Sequence, residues 1–366
     1  MNYKELSQPH LRKIVDYHIE MLSVGAADCF IIHYTDNDQN NYIILVDSGN
    51  YNDAESILQH LKETYRYENL TINLAIVTHP DDDHYGGFVK MLEKLKNRDN
   101  DSIPIEKFWL NNPQNHITTK QVENNITPQT LQKRVAKLFD QGDSNLLDLI
   151  SELNIPTEEK FAKSKTIRGL LGNQSFTYVC REREFLGFTI VGPTESYFKE
   201  LAPQLRYDNL KGYKYDSEED ESDFKPDSKC LSKALDAAND DPSKHNQSSL
   251  IFVFEPEKNV KYLFCGDAGE DAFCNIPKTH LNEIHNVYWM KVPHHGSKHN
   301  LTSNIINYCH PKIAYISTEK QGHYLNQCTI NALKAIGCSV YSNHKNHAHI
   351  LHHDGEREGY GPINPE

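Results

Sequence analysis

Apolar positions in the first third of the chain fall into short runs broken by turn-forming residues. His18 to Val24, Phe30 to Tyr34 and Tyr42 to Val46 are strand-sized. Gly25, Asp28 and the Asn/Asp cluster at 36–41 separate them, which predicts a β meander. Asp53 then reads as the N-cap of a helix with Ile57, Leu58, Leu61 and Tyr65 on one face. Leu74 to Thr78 is the next strand. It runs into His79-Pro80-Asp81-Asp82-Asp83-His84 and Gly86-Gly87, and then into a helix with Phe88, Met91, Leu92 and Leu95 inward.

Residues from about 113 to 180 read as an insertion, mostly helical. Thr127-Pro128 is a helix start, and Leu131, Val135, Leu138 and Phe139 form its apolar stripe. Strands resume at Phe188 to Val191, and again at Ser249 to Phe254, Lys261 to Phe264, Val287 to Val292 and Ile313 to Ile316. Asn326 caps a helix with Ile330, Leu333 and Ile336 inward, and Gly337 ends it. Strands, a ligand-rich loop, a helix and strands again predict two β sheets with helices outside. The whole chain, residues 1–366, reads as one domain.

Charge changes this picture in one place. The chain carries 38 Lys+Arg against 51 Asp+Glu, a net charge of -13. Between Lys214 and Lys244 ten acidic residues meet five basic ones, a net of -5. The insertion at about 205–245 is therefore expected to be a solvated, mobile loop, with docking of a partner as the sharper alternative. The acidic balance argues against strong non-specific grip on nucleic acid, although metal ions can supply positive charge locally. The longest apolar runs stay far below the ~20 residues of a membrane span. Met1 to His10 lacks an apolar signal core, and the eight cysteines contain no Cys-x-x-Cys pair. A cytoplasmic protein with reduced thiols is expected, with no membrane partner.

The 20 histidines are unusual, and most follow residue 244. The strongest chemical signal comes earlier, at His79-x-Asp81-x-Asp83-His84, where four metal-competent side chains lie within six residues at a strand end. Imidazole with carboxylate suits Zn²⁺, Mn²⁺ or iron. The plainer reading is an acidic turn that complements a helix dipole. Asp267 lies in the turn Gly266-Asp267-Ala268-Gly269, a common type that by itself reads as an ordinary turn. His294-His295 follows a strand and precedes Gly296; one of the pair can ligate while the other supports it. Gly322-His323-Tyr324 lies in a loop before a helix. His344, His347, His349, His352 and His353 read as an exposed edge strand and turn.

In this order the pieces resemble the metallo-β-lactamase superfamily, which is marked by a His-x-His-x-Asp-His loop, a downstream Asp and a final His. Asp81 stands where the second His is usual. That variant is similar to the branch typified by the soluble hydrolase domain of ComEC-type competence proteins. Leu22-Ser23-Val24-Gly25-Ala26-Ala27-Asp28, Leu45-Val46-Asp47-Ser48-Gly49, Asn246-Gln247-Ser248-Ser249-Leu250 and Lys291-Val292-Pro293-His294-His295-Gly296-Ser297 match its other landmarks. The likeness spans roughly residues 17–352, interrupted by the two insertions.

The resemblance implies an α/β fold, the four-layer αβ/βα sandwich, with two divalent ions, Zn²⁺ or Mn²⁺. His79 and Asp81 would hold the first and Asp83 and His84 the second. Asp267 would bridge them, and His294 would complete the second site. His295, Asp47 and Ser248 would support these ligands. The usual third His of the first site lacks a clear counterpart, with His245 a candidate. The activity implied is hydrolysis by a hydroxide held between the ions. Asp83 would orient it, and His323 and Lys298 could donate to the substrate oxygen. A nucleotide or nucleic-acid phosphodiester is the first choice of substrate. Peptide, lactam or lactone bonds are the alternative, as is a metal-bound regulatory protein working through its insertions.

Overall fold

A computed structural model describes residues 12–117, 127–168, 175–205, 235–236, 238, 240–318, 325–343, 350–352 and 365–366. The first sheet contains β1 (Ile14–Met21), β2 (Phe30–Asp36), β3 (Asn41–Val46), β4 (Leu74–Ile76), β5 (Phe108–Trp109) and β6 (Thr157–Glu158) in that order. The meander β1-β2-β3 is antiparallel, and β3 to β6 run parallel. Helices α1 (Ala54–Thr64), α2 (Asp82–Asn97), α3 (Pro128–Ala136) and α4 (Leu146–Glu152) belong to this half. Residues 164–168 (β7) and 175–179 (β8) pair as a separate hairpin.

The second sheet runs β9 (Phe188–Gly192), β10 (Ile251–Glu257), β11 (Val260–Phe264), β12 (Trp289–Lys291), β13 (Ile313–Ile316) and β14 (Ser339–Ser342). In the chain α5 (Glu195–Leu201) and α6 (Lys244–Gln247) fall between β9 and β10, while α7 (Glu270–Cys274), α8 (Ser303–Cys309) and α9 (Gln327–Ala335) lie outside the sheet. A last strand, β15 (Ile350–His352), pairs with β1 at the free edge of the first sheet. The His-rich C-terminus thus includes an edge strand, while His344, His347, His349 and His353 lie outside the described residues.

Strand alternation builds the layers. Phe30, Ile32 and Tyr34 point from β2 to the middle, where they meet Phe252, Phe254, Tyr262, Phe264 and Trp289 of the other sheet. Ile31, Ile43 and Leu45 point outward onto α1 and α2 residues such as Leu58, Leu61, Phe88 and Leu92. Val253, Leu263, Met290 and Ala314 face Ile306, Ile330 and Leu333 on the far side. The result is the expected four-layer αβ/βα sandwich, with two sheets each buried on both faces.

Local details differ from the sequence reading. Asp53 lies in a 3-10 turn before α1, and its carboxylate accepts the Asn50 N–H at 2.7 Å; the capping box is built on Asn50. The insertion from 113 is helical only in its first half. Its second half is the β7-β8 hairpin, since the Thr- and aromatic-rich segment Ser175–Val179 favours strand. The acidic stretch falls largely outside the described residues, but its end is not solvated. Asp241 is buried and accepts from Asn246 Nδ2 at 2.6 Å and Asn300 Nδ2 at 2.8 Å. The seven described cysteines are free thiols. Among the described residues, no helix is long and apolar enough to cross a membrane.

Under α1, Glu20 is fully buried between His18 and His60, with His60 Nε2 2.6 Å from its carboxylate. Tyr65 also donates to it. Burial pushes the Glu20 pKa up, but the hydrogen bonds from His18 and His60 outweigh it and hold the group well below the usual carboxylate value. A depressed pKa stabilises the fold above the unfolded-state value and loses that contribution as pH falls toward the folded one. Glu20→Gln is therefore expected to cost about 1.5–3 kcal/mol at neutral pH. The gap to wild type should narrow as the pH drops below ~4.3. Urea denaturation of both proteins across that range checks this; a gap independent of pH would contradict it.

Candidate metal centre

The site forms where the carboxyl ends of the parallel strands meet at one rim. β3 ends in Asp47, β4 leads into Thr78-His79, β11 into Gly266-Asp267 and β12 into His294-His295. The Leu250 N–H, just before β10, donates to the Thr78 carbonyl at 2.8 Å and ties the two sheets together there.

His84 sits in the first turn of α2, and close packing of that helix on the loop after β3 places it. A β-carbon on Gly87 would lie 2.0 Å from the Ser48 carbonyl oxygen, and one on Gly86 2.6 Å from the Tyr51 nitrogen. Only glycine admits this approach. In return Ser48 N–H donates to the His84 carbonyl at 2.7 Å, and Phe88 N–H to Ser48 Oγ at 2.8 Å. Asp81 stands at the N-cap position of α2, yet its side chain makes no cap bond. It turns instead to His245 Nδ1 at 2.8 Å, so the plain helix-capping reading of this carboxylate does not hold.

Asp267 is at the centre. Its Oδ2 lies 3.3 Å from His84 Nε2, 3.9 Å from His79 Nε2 and 4.0 Å from His295 Nε2. On the flanks, Asp81 Oδ2 is 3.5 Å from His79 Nε2, and Asp83 Oδ2 is 3.1 Å from His295 Nε2. Two groups have ligand spacing and share His84: His79, His84 and Asp267, and Asp83, His84 and His295. A third, Asp28, Asp47 and His84, lies beneath them. His79 Nε2 and His84 Nε2 are buried and make no hydrogen bond, so two ring nitrogens stand unsatisfied beside Asp267 Oδ2. Leaving such atoms unsatisfied is costly, and a cation would satisfy both. The donor set therefore fits divalent metal.

The layer below orients these groups. Asp47 Oδ2 receives His84 Nδ1 at 2.8 Å, and its carboxylate also accepts Thr78 N–H and Oγ1. His295 Nδ1 lies 2.8 Å from the Ser317 carbonyl. Such bonds select the tautomer that presents Nε2 outward. Lys291 is buried beneath the site and pairs with Asp28, with Asp267 Oδ1 at 3.0 Å and with the Gly266 carbonyl at 2.7 Å. Asp47, His294 and His295 all have left-handed backbone, with φ of 56°, 46° and 52°. Non-glycine residues held there cost of order 1–3 kcal/mol each and cluster at functional sites.

The field is strongly coupled. Burial pushes His84 down, but the carboxylates of Asp267, Asp47 and Asp83 hold its pKa well above the ordinary imidazole value. Burial pushes Asp267 up, yet Lys291 and His84 keep it well below a normal carboxylate. Asp83 is likewise lowered, against burial, by His84 and His295. His294 rises to about 9 against burial, mainly through its hydrogen bond to Asp241 and the charge of Asp267.

The structure brings His79, Asp81, Asp83, His84 and Asp267 together, with Asp47 beneath. Of the histidine pair, His295 is the one that falls in a group with ligand spacing among the described residues. His295 reaches Asp83, whereas His294 Nδ1 faces Asn300 Oδ1 at 3.0 Å and Asp241 Oδ2 at 3.2 Å. Successive left-handed residues turn the two rings different ways, which residue spacing does not reveal. Ser248 bonds only locally, to the His245 carbonyl at 2.6 Å; its neighbour Ser249 is the residue whose Oγ accepts the Asp267 N–H at 3.0 Å. Lys298 lies half-buried in the loop after the pair. His323 lies outside the described residues. Asp28, Lys291, Asp241 and Asn300 received no role in the sequence reading. A charged residue inside an apolar strand, as at Lys291, was the available signal.

Residues 22–150 match the family model described as the metallo-beta-lactamase superfamily. That stretch contains Asp47 and His79–His84; Asp267 and His295 lie beyond it. The sandwich is of the metallo-β-lactamase type. No curated protein matches the chain. Among solved structures the chain is similar to a long form RNase Z from yeast, at 12% identity and a TM-score of 0.33. The likeness covers 83% of this chain and 37% of that one, and at this level it carries no argument.

Proposed function

We propose that this chain is a metal-dependent hydrolase, with phosphodiesters of nucleotides or nucleic acid as its substrates. The observation that carries the reading is the position of Asp267 Oδ2 between two His/Asp groups, with His79 and His84 Nε2 unsatisfied beside it. His79, Asp81 and Asp267 would hold one divalent ion, and His84, Asp83, His295 and Asp267 a second. His245 would fix Asp81. Ions bound there would lower the pKa of a water and polarise a substrate oxygen. The remaining work falls to the chain. Lys291 and the His294 N–H hold Asp267 Oδ1 so that Oδ2 faces the site. Asp47 and Ser317 orient two rings. Asp83, whose side chain is 29% exposed, is the carboxylate open to incoming water and can take up its proton. Two ligand groups side by side suit the two free oxygens of a phosphodiester. The resemblance to the ComEC-type hydrolase branch favours the same chemistry.

The test combines elemental analysis of protein purified without chelator with turnover of bis-p-nitrophenyl phosphate in added Zn²⁺ or Mn²⁺. Close to two metals per chain is expected, with turnover that Asp83→Ala reduces by at least ~100-fold. Metal with turnover only of amide or lactone substrates would move the reading to C–N or C–O bonds. Neither metal nor turnover would leave the regulatory-protein reading in front.

A further inference from the structure

The β7-β8 hairpin belongs to neither large sheet. Its register sets Phe176 opposite Ile167 and Tyr178 opposite Lys165, so these four side chains share one face. Thr166 and Thr177, with hydroxyls 2.8 Å apart, occupy the other. Ile167, Phe176 and Tyr178 remain 53%, 58% and 48% exposed. A two-stranded ribbon that buries neither face gains little stability from such residues, so the core does not account for them.

The charge of this segment is opposite to that of the chain. Residues 161–181 contain Lys163, Lys165, Arg168 and Arg181 and no Asp or Glu, within a protein of net charge -13. Arg181 pairs with Glu255, while Lys163 and Lys165 are exposed. Exposed rings beside exposed lysines are what a single-stranded nucleic acid engages: the cations draw in phosphates and the rings stack on bases. Phe176 and Tyr178 lie about 7 Å apart along the strand, far enough to take separate bases.

The base of the ribbon is tied by a relay of backbone bonds to the strand ends that carry the candidate metal centre. Ala162 N–H donates to the Pro193 carbonyl at 2.9 Å, and Pro193 directly follows β9. Gly192 at the end of β9 pairs with Ile251, whose neighbour Leu250 is bonded to Thr78, the residue before His79. His280 Nε2 meets the Lys163 carbonyl at 3.2 Å and steadies the same base.

We propose that the β7-β8 ribbon is a docking platform for single-stranded nucleic acid and leads the strand to the phosphodiesterase centre. The proposal rests on the hydrolase reading above for its consequence, but binding can be measured apart from it. The test uses the metal-loaded protein and fluorescent oligothymidylate and oligouridylate with phosphorothioate linkages, which resist cleavage. Anisotropy is read for wild type, Phe176→Ala/Tyr178→Ala and Lys163→Glu/Lys165→Glu, with bis-p-nitrophenyl phosphate turnover in parallel.

Each double variant is expected to weaken oligonucleotide affinity by at least ~10-fold. Wild-type affinity should fall as salt rises, and small-substrate turnover should stay unchanged. Comparing the two oligonucleotides separates DNA from RNA. No binding by wild type, or binding that both variants retain, overturns the platform, and a protein partner then becomes the occupant to seek. Ribbon-dependent binding without turnover of bis-p-nitrophenyl phosphate supports the platform and removes the phosphodiesterase reading instead.

Discussion

Asp267→Asn is expected to lower turnover of bis-p-nitrophenyl phosphate by more than ~100-fold, which is what losing a mere supporting group around a metal costs at most. The change keeps the size of the side chain and removes its charge. Asp267 Oδ2 is the atom nearest the middle of the site, within 4.0 Å of the Nε2 atoms of His79, His84 and His295. Its pKa is held well below the usual carboxylate value, so wild type presents a full negative charge at any working pH. An amide in its place would deprive any ions held by the flanking His and Asp groups of that negative charge. Metal content should fall together with rate, and elemental analysis of the variant distinguishes this from a purely kinetic defect. Turnover within tenfold of wild type, with metal retained, would sink the central role of this residue.

Lys291→Met should destabilise the chelator-treated protein by about 3–5 kcal/mol, the usual result of breaking a buried ion pair from one side. The ammonium is buried and serves Asp28, Asp267 and the Gly266 carbonyl at once. Burial would lower its pKa, but Asp267 and Asp28 raise it instead, so it remains charged. Removing it leaves Asp267 with His84 as its nearest imidazole at 3.3 Å, and leaves Asp28 with only the His84 and His295 rings at 3.8 and 3.7 Å. The Lys291 ammonium is the nearest cation to Asp28. Adding Asp28→Asn to Lys291→Met should therefore recover part of the loss, a coupling that a double-mutant cycle measures. Guanidinium denaturation giving a loss within ~1 kcal/mol for the single variant would contradict the ion-pair account.

These two residues were unequally legible. Asp267 could be singled out only through the resemblance, since its glycine turn by itself reads as an ordinary one. Lys291 and Asp28 could not, because their meaning depends on each other across more than two hundred and fifty positions of chain. The loop His79–His84 was readable locally, because four ligand-type side chains fall within six residues at a strand end. The order of His294 and His295 was not, since left-handed backbone at both residues turns the rings apart. Asp241 was read as part of a solvated acidic loop, yet Asn246 and Asn300 draw its carboxylate inside. The strand pair Ser164–Arg168 and Ser175–Val179 was missed because its described side chains are largely exposed, so it lacks the buried alternation by which strands are recognised.

The sequence by itself determined the layered α/β architecture, the rim at which strands end in ligand-type side chains, and the identity of most of those side chains. Period-two and helical apolar patterns record which faces are buried, and ligand clusters close in sequence stay close in space. The tertiary structure alone decided which imidazole faces the centre, which buried lysine balances its carboxylates, and where a basic, aromatic ribbon stands relative to it. Those outcomes depend on groups far apart in the chain that share one low-dielectric space, where pairing, orientation and charge are settled by contact and not by spacing.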